Sequence, residues 1–226
     1  MHFCGITIFP WIYPNSPCHM SNKLSEIIRR FLDILVSSVM LLVSAPIMLL
    51  IAYKIKKVSP GPAIFRQTRV GKDGSLFRFY KFRSMWPDAR KRFPELYAYK
   101  YTQDEIKRLK FKKREDPRII PELHWLRKSS LDELPNFLNV LKGDMTLVGP
   151  RPDIPEMVKY YTERQMKKLS VKPGITGYAQ INGRGDLGFQ ETLEEDLRYI
   201  EERSLLTDLW VILRTVAACF EREGAY

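Results

Sequence analysis

The chain has 226 residues, 37 Lys and Arg against 26 Asp and Glu, and a formal charge of +11. With 45% hydrophobic and 12% aromatic residues it is too apolar for a disordered basic tail, and its length suits one catalytic domain with an appendage rather than two full domains. The charge is uneven: residues 1–160 are net +13 and residues 161–226 net −2, so the positive field belongs to the first two-thirds. Such a field concentrates nucleic acid, anionic lipid or a phosphorylated small substrate, and composition does not choose among them. Cys4, Cys18 and Cys219 are too few and too scattered for a disulfide framework, which fits a reducing compartment.

Residues 1–19 carry no Lys, Arg, Asp or Glu and no helical period, and Pro10, Pro14 and Pro17 interrupt any element there. They read as an addition, with two alternatives: native translation begins at Met20, or the leader is dispensable. From Met20 onward Leu24, Ile27, Ile28 and Phe31 make an apolar stripe beside Lys23, Arg29 and Arg30, as in an interfacial helix. Ile34 to Tyr53 then runs 20 positions without a charge. As a helix this measures about 30 Å, the thickness of a bilayer core. Arg29 and Arg30 precede it and Lys54, Lys56 and Lys57 follow, so both ends favour the cytoplasmic side. Pro46 removes a backbone donor just past the middle, while Ser37, Ser38 and Ser44 can satisfy freed backbone groups. Residues 20–57 are therefore expected to form an interfacial and re-entrant membrane helix kinked at Pro46, with a straight Pro-kinked span as the alternative.

Residues 58–226 read as a cytoplasmic catalytic domain. The stretches AIFRQTRV and SLFRFYKF around Gly71-Lys72-Asp73-Gly74 predict a β-hairpin with one basic face of Arg66, Arg69, Arg78 and Lys81. Residues 88–115 hold ten basic and five acidic side chains and read as a solvated surface insertion, with anionic headgroups as the other contact to consider. Glu191 to Ser204 predicts a helix with Leu193, Leu197 and Ile200 on one face. Residues 205–220 predict a C-terminal amphipathic helix with Leu206, Trp210, Leu213, Ala217 and Phe220 on one stripe, facing either the core or a membrane interface. The fold class is thus α+β, helix-rich with a small β-hairpin, in a monotopic membrane protein.

His2, His19 and His124 are far apart, and no metalloprotease, serine-hydrolase or P-loop signature occurs. Gly183, Gly185 and Gly188 spell GxGxxG, but their polar surroundings lack the strand and βαβ unit of a dinucleotide site. The informative stretch is Leu126 to Pro152. Pro135 suits the first turn of a helix through NFLNVLK, which sets Asp132 and Glu133 at its N-terminus, where the dipole favours negative charge. Ser130 to Glu133 also matches a capping box, which places carboxylates at helix starts for stability alone. Arg127, Lys128 and Arg151 frame the acids. Carboxylates framed by guanidinium groups suit a phosphoryl centre with a divalent metal.

Four blocks in order, FRQTRVGKDGSLFRFYKFRSM (65–85), DPRI (116–119), RKSSLDELPNFLNVLKGDMTLVGPRP (127–152) and KPGITGYAQINGR (172–184), resemble the signatures of the bacterial sugar transferases called monotopic phosphoglycosyl transferases, in their compact single-domain form. The resemblance implies a re-entrant membrane helix on the cytoplasmic face of the bacterial inner membrane. It further implies transfer of a sugar phosphate from a UDP-sugar to polyprenol (undecaprenyl) phosphate, releasing UMP through a phospho-aspartyl sugar and initiating a surface glycan. By matching position, Asp132 is the nucleophile and Glu133 its partner, with Mg²⁺ assigned to the pair. Arg127, Arg151, Lys81 and Arg83 match phosphate-binding positions. Pro173, Gly174, Thr176, Gln180, Asn182 and Arg184 match positions for the nucleotide sugar. The expected partners are UDP-sugar, polyprenol phosphate, membrane lipids and later glycosyltransferases of the same pathway, and not nucleic acid. One departure is Ser44-Ala45-Pro46, where the family often has Ser directly before Pro. The competing class is a basic membrane-tethered nucleic-acid-binding or scaffold protein without catalysis.

Overall fold

The structure is a computed structural model that describes residues 22–110, 116–183 and 186–220; the proposed leader 1–19 lies outside them. Helix α1, Asn22–Val58, is 37 residues long, so the interfacial lead and the membrane segment are one element. It is helical through Pro46, and no break separates a descending from a returning arm. A proline removes one intrahelical donor, and here the Ser44 hydroxyl donates to the Met40 carbonyl at 2.5 Å one turn earlier. It is the one helix among the described residues long and apolar enough to cross a membrane by length and composition.

Arg29, Asp33, Ser37, Ser44, Ile51 and Ile55 are buried, at spacings of one and two turns that place them on a single stripe. Leu35, Val39, Leu42, Val43, Leu49, Leu50 and Tyr53 lie exposed. Both ends dock on the same body. Near the start, Arg29 pairs with Asp208 at 2.6 Å, Arg30 donates to the Val140 and Leu141 carbonyls, and Asp33 accepts from the Thr146 hydroxyl and the Leu147 N–H. Near the end, Ile51 and Ile55 pack with Phe82, Ile120, Leu123 and Leu126, and Lys54 sits 4.5 Å over the Trp125 ring.

Strands β1 (Ile64–Val70) and β2 (Leu76–Phe82) form the expected antiparallel hairpin. Its turn uses left-handed backbone at Asp73 and Gly74. The single basic face is not observed. Pairing of Arg66 with Tyr80 and Thr68 with Arg78 puts Arg66 and Arg78 on one side, whereas Arg69 and Lys81 share the other with Phe77 and Phe79. The period of two along each strand decides this, because Arg66 and Arg69 are an odd number of residues apart.

The charged segment that follows forms α2 (Ala89–Arg92), a 3-10 turn at Pro94–Tyr97 and α3 (Gln103–Arg108). It is anchored, not simply solvated: Ile106 is 2% exposed against Met157, Phe189 and Leu193. Helices α4 (His124–Lys128) and α5 (Asn136–Lys142) lead to β3 (Thr146–Val148), and α6 (Pro155–Val158) precedes β4 (Gly174–Thr176). Strands β3 and β4 pair in parallel as a second small sheet that the sequence reading did not anticipate. Helix α7 (Tyr178–Gly183) stands where a nucleotide-binding strand would have to precede GxGxxG, so that motif has no such context.

Helix α8 (Phe189–Glu202) begins two residues before the expected start and buries Leu193 and Leu197. Helix α9 (Leu205–Phe220) turns Asp208, Val211 and Thr215 toward the body. The expected stripe faces outward at Leu206, Trp210 and Leu213, together with Leu209 and Val216. Of the two placements considered for this stripe, burial in the core is therefore not the one observed.

Candidate active site

Asp132 and Glu133 occupy one 3-10 turn, Leu131–Glu133, entered through Ser130 at φ 57°. The left-handed backbone at a serine is uncommon and marks a constrained entry. It also replaces the capping box: the Ser130 side chain caps nothing, and the Glu133 N–H bonds to the Ser130 carbonyl at 3.1 Å. After Pro135, α5 runs to Gly143, whose φ of 88° ends it in the left-handed conformation that glycine tolerates.

Asn139, fully buried on α5, registers this helix on the hairpin. Its Oδ1 accepts from the Tyr80 N–H at 3.0 Å and its Nδ2 donates to the Arg78 carbonyl at 2.6 Å. Strand β2 thereby aims Lys81 at the acids, with Nζ 2.6 Å from Asp132 Oδ2 and 3.5 Å from Glu133 Oε1. From the other side Arg151 closes on Glu133 with two bonds, Nη2 to Oε1 at 2.6 Å and Nη1 to Oε2 at 3.3 Å. Fork geometry of this kind fixes direction as well as charge.

The two acids differ in ionisation. Burial pushes the Asp132 carboxyl above its ordinary value, Lys81 pulls it back, and the neighbouring Glu133 charge pushes it up again. Burial also opposes ionisation of Glu133, but Arg151 and Lys81 outweigh it and hold that carboxyl at about 2. Glu133 is thus the anchored anion of the pair, and Asp132 is the more basic oxygen donor.

Of the residues expected at the site, Lys81 and Arg151 meet the dyad. Arg127 lies close enough for its charge to act on Asp132, and its Nη1 is 3.9 Å from Asp116 Oδ2. Asp116 itself is held by Arg118 at 2.7 Å, so the DPRI block supplies a salt-bridged backing to Arg127. Arg83 is engaged elsewhere: it donates to the Ser59 and Pro60 carbonyls at 2.7 Å each and secures the exit of α1. Arg83 is the first residue past the end of β2, so the rule that puts strand residues two apart on one face does not tie it to Lys81.

Pro173, Gly174 and Thr176 build β4 and its approach. The Pro173 carbonyl accepts from the Thr146 N–H, Gly174 packs so tightly on Gly149 that a Cβ there would overlap its backbone, and the Thr176 hydroxyl bonds Thr215 at 2.7 Å. They carry the strand that backs the Gly149-Pro150-Arg151 segment. Asn182 donates to Glu195 at 2.5 Å on the exposed side of α8. Gln180 keeps both polar atoms of its amide buried without a hydrogen-bond partner among the described residues. Arg184 lies outside the described residues.

The acids suit a divalent ion only in company. No group of three or more His, Cys, Asp or Glu side chains among the described residues could hold a metal unaided. Two carboxylates completed by water and substrate phosphates are nevertheless a donor set that Mg²⁺ uses. Chemically, the site can draw in an anion through Lys81, Arg127 and Arg151 and present one carboxylate oxygen to it.

Comparison with known proteins places this architecture. The family described as bacterial sugar transferase matches residues 24–222. The chain is 43% identical over 205 residues to the galactosyl transferase CpsE of Streptococcus agalactiae serotype III, covering 90% of this chain and 44% of that protein. It is 37% identical over 212 residues to the undecaprenyl-phosphate galactose phosphotransferase of Salmonella typhimurium, covering 92% of this chain and 44% of the relative. The chain thus spans less than half the length of these two proteins. Against the exopolysaccharide production protein ExoY of Rhizobium meliloti it is 34% identical over 198 residues, and 88% of each chain is covered. The chain belongs to the bacterial sugar transferase family.

Proposed function

We propose that this protein transfers a sugar phosphate from a UDP-sugar to undecaprenyl phosphate, releasing UMP, and so starts assembly of a bacterial surface polysaccharide. The observation that carries the reading is the buried Asp132, held by Lys81 beside a Glu133 clamped by Arg151. Names of relatives point to galactose or glucose as the sugar and to undecaprenyl phosphate as the acceptor. In the first step an Asp132 carboxylate oxygen attacks the sugar-bearing β-phosphorus. A P–O bond forms, the bond from that phosphorus to the bridging oxygen breaks, and UMP leaves with the electron pair. An undecaprenyl phosphate oxygen then attacks the same phosphorus, which restores the Asp132 carboxylate and yields the lipid diphosphate sugar. Lys81, Arg127 and Arg151 orient and neutralise phosphate oxygens throughout. Mg²⁺ held by Glu133 and Asp132 supplies further charge neutralisation when bound.

The same reading places α1 in the cytoplasmic leaflet as a re-entrant element. A straight span would carry either Arg29 to Asp33 or Ile51 to Ile55 to the far side, yet both ends dock on one body. The outward stripe of α9 joins it at the interface, next to the lipid acceptor.

The test uses UDP-galactose and UDP-glucose with Mg²⁺ and no lipid. The covalent route releases up to one UMP per protein and leaves a hexose phosphate adduct on Asp132 in the intact mass. A direct transfer gives neither until undecaprenyl phosphate is added, and that result would overturn the two-step assignment.

A further inference from the structure

A second, largely buried ionic cluster lies next to Arg151 and takes no part in the chemistry above. Lys168, in the 3-10 segment Gln165–Ser170, is 3% exposed. Its Nζ is 2.6 Å from Asp153 Oδ2 and 2.8 Å from Asp196 Oδ2. Tyr161 donates its hydroxyl to the same Asp153 oxygen at 2.5 Å. The fully buried Asp196, on α8, has its carboxyl pushed up to about 6 by burial, against the pull of the Lys168 ammonium beside it. From the opposite side the Val70 N–H donates to the Asp153 carbonyl and Arg69 Nη1 to the Pro152 carbonyl, both at 2.9 Å.

Apart from the Lys168–Asp196 pair, each of these ties ends on Pro152 or Asp153. Pro150 and Pro152 have no N–H to give, so the backbone holds this segment only through acceptors there, such as the Pro150 carbonyl that takes the Gly174 N–H at 2.9 Å. Apolar side chains would fill the same volume as well as buried ions do, without their desolvation penalty. What the ions add is direction, and the side chain they flank is the one that reaches forward to Glu133.

We infer that Asp196 and Lys168, acting through Asp153 two residues along the chain, form a rear brace that positions the Arg151 guanidinium on Glu133 and on the diphosphate. They are positioning residues, remote from the reacting atoms. The inference rests on the transferase reading and deepens it.

Lys168→Met and, separately, Asp196→Asn in the full chain are the variants to compare, using whichever of UDP-galactose or UDP-glucose turns over, with undecaprenyl phosphate. The brace predicts that kcat falls about 10- to 100-fold, the scale of a misplacement near 1 Å, while KM for the nucleotide sugar moves less than about threefold. Amide hydrogen exchange at residues 149–153 should accelerate. In an Arg151→Ala background the same substitution should lower kcat by less than about twofold more, since the side chain it acts through is gone. A folded Lys168→Met with wild-type kcat, or an equal loss in both backgrounds, overturns the brace. If Lys168→Met does not fold, the shape-conserving Asp196→Asn decides by the same criteria. Failure of the transferase reading looks different: Asp132→Asn would then turn over normally.

Discussion

Asp132 and Glu133 share two cations, Lys81 and Arg151, whose side chains are 20% and 39% exposed, whereas Asp153 and Asp196 share the single ammonium of Lys168, which is 3% exposed. The two acid pairs lie on opposite sides of the Arg151 segment. By residue type they are equivalent, and their surroundings separate them. The forward pair is balanced charge for charge and open along one edge, so an incoming phosphate can exchange for a carboxylate on Lys81 or Arg151. At the rear pair the ammonium of Lys168 is buried and Asp196 is fully enclosed, so the cation is not available to an incoming anion and holds its neighbours in place. Access and freedom to exchange partners, more than the presence of paired acids, are what suit the forward pair to the proposed chemistry.

Exchanging each aspartate for asparagine should break the symmetry of that comparison most sharply. Asp132→Asn removes the proposed nucleophile and should lower turnover by about 10³-fold or more, yet leave thermal stability equal or higher, because burial already disfavours its charge. Asp153→Asn should do the reverse. Losing one partner of a buried ionic cluster costs about 3–5 kcal/mol, so the melting temperature should drop by several degrees before activity is considered. Scanning calorimetry and steady-state kinetics on both variants check this, and a destabilised Asp132→Asn would contradict it.

Acid titration sharpens the forward pair. The folded Glu133 carboxyl, held at about 2, lies below its ordinary 4.5, so its ion pairs stabilise the fold above pH 4.5 and that contribution is lost as pH falls toward 2. Wild type should therefore lose stability over this interval faster than Glu133→Gln does, by up to about 3 kcal/mol. Denaturant midpoints between pH 5 and pH 3 measure the difference, and parallel curves would remove Glu133 from the balance.

A smaller effect is expected at the membrane face. Leu213→Glu on the outward stripe of α9 should weaken sedimentation with anionic vesicles severalfold and leave the far-ultraviolet circular dichroism unchanged. Unaltered binding would assign the apolar stripe another role.

The hairpin shows how far periodicity carries. Its two strands and turn were legible because alternation and the Gly71 to Gly74 punctuation are local signals. Its basic face was not, since the residues sharing a side are set by parity along each strand, and Arg66 and Arg69 differ in parity. At the dyad, chain adjacency put Asp132 beside Glu133, and the motif resemblance singled out Lys81 and Arg151. Arg83, two residues from Lys81, carried the same signal and went to the exit of α1. Lys168, Asp153 and Asp196 carried no motif at all, and three separate elements bring them together.

What the sequence by itself determined was therefore short-range: the apolar run of α1, the two strands of the hairpin, the amphipathic α8 and α9, and the acid pair with its framing arginines. Each depends on spacing within a few turns of one element. Only the tertiary structure decided which cation serves which carboxylate, that both ends of α1 seat on one body, and that the apolar stripe of α9 faces outward. These outcomes turn on the desolvation of charges and on close packing between residues far apart in the chain, such as Arg29 with Asp208 and Lys81 with Asp132. No local pattern encodes such pairings, because their energy exists only once the partners share a low-dielectric interior.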